Sequence, residues 1–228
     1  MSNDIKNVLD ALARLDENGL HQEVDTIDSF LRKNANKTVH KCGLENKAVD
    51  AHRELLEGYQ KAKESLKKEQ KKILLSANEK DNSNHSVLRD TLRNISHARN
   101  AVFLHEMYFA DVIDSKPSSL GQAASIKELY EGGTKNLEAD IERAAELTRS
   151  GWVVLSFCTH SKNLDIEILD LHEIGGSLYR MPVAALDMWE HAYFIDFGTD
   201  KKAYVEWWLS RMDWRNVEKR IKNLNRIK

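Results

Sequence analysis

Apolar positions in the first half of the chain recur at three- and four-residue intervals. Ile5, Val8, Leu9, Leu12 and Leu15 follow helical spacing, Asn18-Gly19 ends that run, and Leu20, Val24, Ile27 and Leu31 form a second short stripe. Residues 3–33 therefore read as a helical hairpin, followed by a polar linker from Lys33 to Lys41. A longer stripe, Leu44, Ala48, His52, Leu55, Leu56, Tyr59, Ala62 and Leu66, predicts a long helix, with Lys67–Asn84 as its solvated end and a loop. His52 and Tyr59 lie about two turns apart on its inner face. The next helix carries Leu88, Leu92, Ile95, Ala98, Val102, His105, Phe109 and Val112, which puts His105 on the buried side. Lys116-Pro117-Ser118-Ser119 closes this helical half.

The second half changes period. Helical patterns cover roughly 121–130 and 135–149, separated by Gly132-Gly133. Trp152–Cys158 is an apolar strand, Thr159–Asn163 a turn, and Leu164, Ile166 and Ile168 alternate with Asp165, Glu167 and Asp170 as in a half-buried strand. Gly175-Gly176 marks a loop, Pro182–Leu186 a third strand, and helix returns from Asp200 with Tyr204, Trp207, Trp208 and Trp214 clustered on it. Helices followed by helices around a small antiparallel sheet make an α+β arrangement.

Composition narrows the function classes. Lys plus Arg number 34 and Asp plus Glu 36, a net charge of −2 over 228 residues, which argues against a generally basic nucleic-acid binder. A 41 % hydrophobic content supports a sizeable core, and no apolar run is long enough for a transmembrane helix. The polar start MSNDIKNVLD lacks a signal-peptide core, and Cys42 and Cys158 form no CxxC pair. The expectation is a cytoplasmic protein with reduced thiols.

Two histidines on the inner stripes of consecutive helices, His52 and His105, stand beside Asp187 and His191 just after an apolar strand. Buried imidazoles and carboxylates need partners, and a shared metal supplies one. Three histidines and an aspartate form an N₃O set suited to iron or manganese, and less specifically to zinc. His105-Glu106 is not a zincin motif, because Phe109 stands where the second histidine belongs. Neither GxGxxG nor a Walker A sequence occurs, and the run Lys67–Lys72 reads as a solvated helix face.

At Asp187-Met188-Trp189-Glu190-His191-Ala192-Tyr193 the chain resembles the iron/manganese superoxide dismutase family, whose D-x-W-E-H-A-Y signature it carries. Asp196, Tyr204, Asp213-Trp214 and Val217 continue the likeness, as do Ser150-Gly151-Trp152 and Leu104-His105-Glu106-Met107-Tyr108-Phe109. Gly43-Leu44, Ala48 and His52 match the approach to the first ligand. The family's usual H-x₃-H-H-x₂-Y is replaced by His52-Arg53-Glu54-Leu55-Leu56-Glu57-Gly58-Tyr59, a divergent form with a single histidine. The likeness covers about residues 43–220 and leaves the hairpin outside.

The resemblance implies metal ligands His52, His105, Asp187 and His191 for one Fe or Mn per chain. It implies proton-handling roles for Tyr59 and His172, and aromatic walls from Trp152 and Trp189. It further implies a homodimer in which Glu190 of one subunit meets the ligand histidine of the other. The loss of the second histidine removes the usual partner of Tyr193 across that interface. The activity implied is disproportionation of superoxide to dioxygen and hydrogen peroxide, an oxidoreductase and antioxidant function. The alternative is a non-enzymatic structural or assembly protein on a dismutase scaffold. The expected organisation is a helical extension and linker (1–41), a helical-hairpin domain (42–117) and an α+β domain with a three-stranded antiparallel sheet (118–228). Residues 3–33 are expected to dock on a partner or brace a dimer. Neither a membrane nor a nucleic-acid partner is expected.

Overall fold

The computed structural model describes residues 46–75, 86–112 and 117–225; the helical hairpin and linker read from the sequence lie outside them. The described residues form seven α-helices and one three-stranded antiparallel sheet, the α+β class read from the sequence. They group into two compact units, 46–103 and 104–225, with one helix running through the division.

In the first unit, α1 (Asn46–Leu75) buries Ala48, Ala51, His52, Leu55 and Tyr59. This is the three-four spacing of a helix with one apolar face. Tyr59 packs with Ala101 and Val102 of α2 (Val87–Asp111), with Leu56 at the edge. The lysine-rich end of α1 stays largely exposed, as a solvated helix end should. Ser86 caps α2: its hydroxyl accepts from the Arg89 N–H at 3.3 Å. The buried face of α2 differs from the sequence reading in its first turns. Leu92 is 42 % exposed, and Thr91 is buried in its stead. Position 91 lies four residues before Ile95, so the observed stripe stays in helical phase while a hydroxyl takes the place of an apolar side chain.

In the second unit, the predicted helix at 121–130 is a 3₁₀ turn (Leu120–Gln122) followed by a short α3 (Ala124–Leu129). Ser119 and Gln122 close a reciprocal capping box on that turn, which starts helical structure at Leu120, ahead of α3. The helix α4 (Gly133–Leu147) begins at the glycine pair itself. It buries Leu137, Ile141, Ala144 and Ala145, and packs on the sheet.

The strands β1 (Trp152–Cys158), β2 (Leu164–Leu169) and β3 (Arg180–Asp187) lie in the order β2-β1-β3. Central β1 is buried throughout, as a strand covered on both faces must be. Edge strand β2 departs from the expected alternation: only Leu164 and Leu169 are buried and the four residues between are half-buried. The β1–β3 register shifts between Leu155, opposite Ala184, and Ser156, opposite Pro182, so Val183 is the extra residue of a bulge. Pro182, which has no N–H to give to a ladder, sits beside that bulge on an edge strand.

Three helices complete the unit: α5 (Glu190–Phe197), α6 (Lys201–Arg211) and α7 (Trp214–Asn225). Of the aromatic cluster, Trp208 and Trp214 are buried edge to face at 6.1 Å, while Trp207 is half-buried and stacks on Tyr204.

Candidate metal centre

The strand register brings the second unit's chemistry to one end of the sheet. Trp152, the first residue of β1, pairs with Leu169, the last of β2, and with Asp187, the last of β3. Chain that leaves β2 and β3 therefore emerges beside the start of β1. His172 lies three residues beyond β2, and Trp189 and His191 follow β3 into the first turn of α5. The tight entry to β1 depends on Gly151. Its φ is +115°, and a Cβ there would stand 2.0 Å from the Leu169 carbonyl oxygen, so only glycine lets β1 start so close to the end of β2. Gly175 does the same for the His172 loop, with φ +108° and the Ile168 carbonyl 2.2 Å from a built Cβ.

Asp187 is fully buried and its two oxygens are divided in use. Oδ1 accepts from the Trp189 backbone N–H at 2.9 Å. Oδ2 lies 3.3 Å from His191 Nε2 and 3.7 Å from Nε2 of His105, the fully buried histidine of α2. The ligand atoms of these three residues lie within 4.8 Å of one another. The rings of His105 and His191 stack at 5.9 Å with 13° between their planes. Bonds of about 2.0–2.2 Å to one ion allow two ligand atoms to stand up to about 4.4 Å apart. The two separations to Oδ2 fall inside that limit. Two imidazoles and a carboxylate are a donor set for a first-row transition metal.

An aromatic cage surrounds these three side chains. Trp152 meets His105 edge to face at 5.0 Å, and Trp189 stacks on His191 at 6.4 Å. His172 is fully buried within 6 Å ring-to-ring of His105, Trp152 and Trp189. The Trp152 indole N–H donates to His172 Nδ1 at 2.9 Å. A nitrogen that accepts must carry its lone pair, so the neutral ring bears its proton on Nε2. The burial of His172 comes from this cage. Its sequence neighbours Leu171 and Ile174 are half-buried and exposed.

Residues 119–220 match the family model for iron/manganese superoxide dismutases, C-terminal domain. Over these residues the chain carries the C-terminal domain of the iron/manganese superoxide dismutase family. It is 27 % identical over 173 residues to superoxide dismutase 1, a manganese protein, of Halobacterium salinarum, covering 75 % of this chain and 80 % of that one. To the Mn/Fe superoxide dismutase of Aeropyrum pernix it is 33 % identical over 110 residues, 47 % of this chain and 51 % of the relative. To the iron superoxide dismutase of Aquifex aeolicus it is 24 % identical over 183 residues, 78 % and 84 % of the two chains.

Other residues support these side chains from behind. Glu190 is buried in the first turn of α5, and Tyr193 stacks on Tyr204 at 5.1 Å. The Tyr204 hydroxyl donates to that of Tyr108 on α2 at 3.3 Å. Burial pushes both phenols well above their ordinary range, so each stays protonated near the Asp187 carboxylate. The end of the His105 helix is tied down by Asp111, whose carboxylate accepts from the Arg220 guanidinium at 2.5 and 2.9 Å. Arg220 also donates to the Val183 carbonyl of β3 at 3.0 Å. The sequence reading missed this clamp. Its partners are 109 residues apart, and a charged side chain at a helix end looks like solvated surface.

His52 and Tyr59 belong to the first unit, both on the buried face of α1 at 2 % exposure. His97, which the sequence reading passed over, is also buried there. It precedes His105 by eight residues, about two turns, and that spacing was the available signal.

Proposed function

We infer that this chain is a superoxide dismutase that converts two superoxide anions and two protons into dioxygen and hydrogen peroxide. The observation that carries this reading is the convergence of His105, Asp187 and His191 inside the cage of Trp152, His172 and Trp189. We assign these three as metal ligands and add His52, whose buried place on α1 and whose match to the family's first ligand support it. Iron or manganese, one per chain, would supply one-electron oxidation and reduction at this set.

The protein's own groups do the rest. The Trp189 N–H holds Oδ1 of Asp187, which aims Oδ2 at the imidazoles. Trp152 fixes the His172 tautomer, leaving its Nε2–H as a donor. The indoles exclude bulk water, which strengthens every charge interaction inside. Tyr59 delivers a proton towards the forming peroxide, and the His172 Nε2–H hydrogen-bonds the reacting oxygen while the second proton is relayed to it from solvent. The proposed scheme keeps residues 1–41 as an extension, 42–117 as the helical hairpin and 118–228 as the α+β domain. It includes a homodimer through Glu190 and Tyr193, and a docking role for residues 3–33. Among the described residues no helix is long and apolar enough to cross a membrane; a cytoplasmic location is part of the proposal.

Elemental analysis of the purified protein with a superoxide assay tests the reading. Near one Fe or Mn per chain and dismutation are expected, with both lost in His191→Ala. Metal at full stoichiometry in that variant refutes the ligand set. A metal-free, inactive wild type refutes the enzyme and leaves a scaffold protein.

A further inference from the structure

A second buried imidazole stands beside the tyrosine to which the mechanism gives a proton. On α2, His97 is 6 % exposed and its ring centre lies 6.2 Å from that of Tyr59, with 54° between the planes. The surrounding cluster is apolar: Ala101 and Val102 follow within two turns, and Ile95 and Ala98 flank His97. An ionisable ring inside such a cluster costs desolvation unless it has a polar task. Ser96 and Asn100 on the same helix are exposed and Asn94 is half-exposed, and His97 itself keeps 6 % exposure to solvent.

We propose that His97 acts through Tyr59 as its proton donor and positioning partner. This rests on the role given to Tyr59 above. Imidazole is the side chain that most readily exchanges a proton near neutral pH. A phenol and an imidazole whose ring centres are this close can be joined directly or by one water. When superoxide is reduced to peroxide it gains one electron and two protons, and one of these protons leaves Tyr59 Oη. The imidazolium of His97 returns it: the N–H bond breaks as the O–H bond of Tyr59 forms, and the neutral ring regains a proton from solvent. His97 also limits the orientations open to the phenol ring.

The activity measurements use the full-length, metal-loaded protein. His97→Phe and His97→Gln are expected to hold wild-type metal and to lower turnover at saturating superoxide by about tenfold, below the roughly 10²–10⁴ of a group that acts on substrate directly, because His97 acts through Tyr59. Added imidazole should restore most of the rate to His97→Ala. A variant that acts through Tyr59 must lose nothing further once the phenol is gone, so His97→Phe/Tyr59→Phe should match Tyr59→Phe alone. In the metal-free chain, nitrogen NMR of the His97 ring should change on Tyr59→Phe, which reads the contact without any activity. Wild-type turnover in His97→Phe, losses that multiply in the double variant, or a His97 spectrum indifferent to Tyr59 each overturn the proposal. If the metal-loaded wild type does not dismutate superoxide, the functional reading fails instead, and the NMR arm alone then decides the contact.

Discussion

Replacing Arg220 with leucine should destabilise the fold by about 3–5 kcal/mol, the typical cost of stripping one partner from a buried ion pair. Asp111 is only 1 % exposed and takes two guanidinium hydrogen bonds, at 2.5 and 2.9 Å. The same guanidinium satisfies the Val183 carbonyl. Leucine leaves both acceptors buried without it. For a chain of this size each kcal/mol moves Tm by about 2–4 °C, so the midpoint should fall by roughly 6–20 °C. The loss has a predictable pH dependence. Burial already holds the Asp111 carboxyl above its ordinary range, against the opposing pull of Arg220. Without the guanidinium it rises further, and the folded state then binds a proton more tightly than the unfolded chain. Stability is therefore regained as pH falls through the raised folded pKa towards the unfolded value. Calorimetry or urea unfolding at several pH values between about 5 and 8 reads this directly. Arg220→Met with Asp111→Leu should recover most of the stability, because both charged groups leave together. A loss below about 1 kcal/mol, or one that is the same at every pH, would refute the reasoning.

Gly151→Ala should cost more than about 3 kcal/mol and disturb metal binding, since its Cβ would stand 2.0 Å from the Leu169 carbonyl oxygen at a φ of +115°; thermal melts and metal content check it. Trp152→Phe should keep its metal and lose roughly tenfold in turnover, because the donor to His172 Nδ1 disappears while the ligands stay; steady-state assays with elemental analysis separate the two. Ser125→Ala should cost about 1 kcal/mol at neutral pH. Partial burial would raise the Glu218 carboxyl, but the Ser125 hydroxyl and backbone donors, with Lys222, hold it below its ordinary value. The stability they give is present above the unfolded pKa and lost as pH falls through the folded one, so wild type and variant should converge in acid.

The segment that carries Asp187 and His191 could be read from sequence because its order is local. Asp187 and His191 are four residues apart at a strand-to-helix junction, and the apolar run of Trp152–Cys158 marks the strand that meets them. The three strands followed from period and turn residues in the same way. What local pattern could not give was phase and pairing. Leu92 and Thr91 are one residue apart, and hydrophobicity alone chose the wrong one for the buried face. The Trp152–His172 hydrogen bond depends on β2 ending opposite the start of β1, which is a property of register. The Arg220–Asp111 clamp depends on tertiary approach across most of the unit.

The bulge at Val183 has a consequence for the tolerance of this chain to changes in length. Successive residues of a strand point to opposite faces, so one residue added or removed reverses every side chain beyond it. Asp187 lies four positions after Val183 with its register to β1 set by that bulge. Deleting Val183 would regularise the ladder and leave Asp187 opposite Trp152, whereas one residue added between Ala184 and Asp187 would turn Asp187 away from His105 and His191. One residue added at Leu178, which is fully exposed in the β2–β3 connection, would be absorbed before pairing begins. Length variation among functional relatives should therefore collect in that connection and spare the four residues from Ala184 to Asp187.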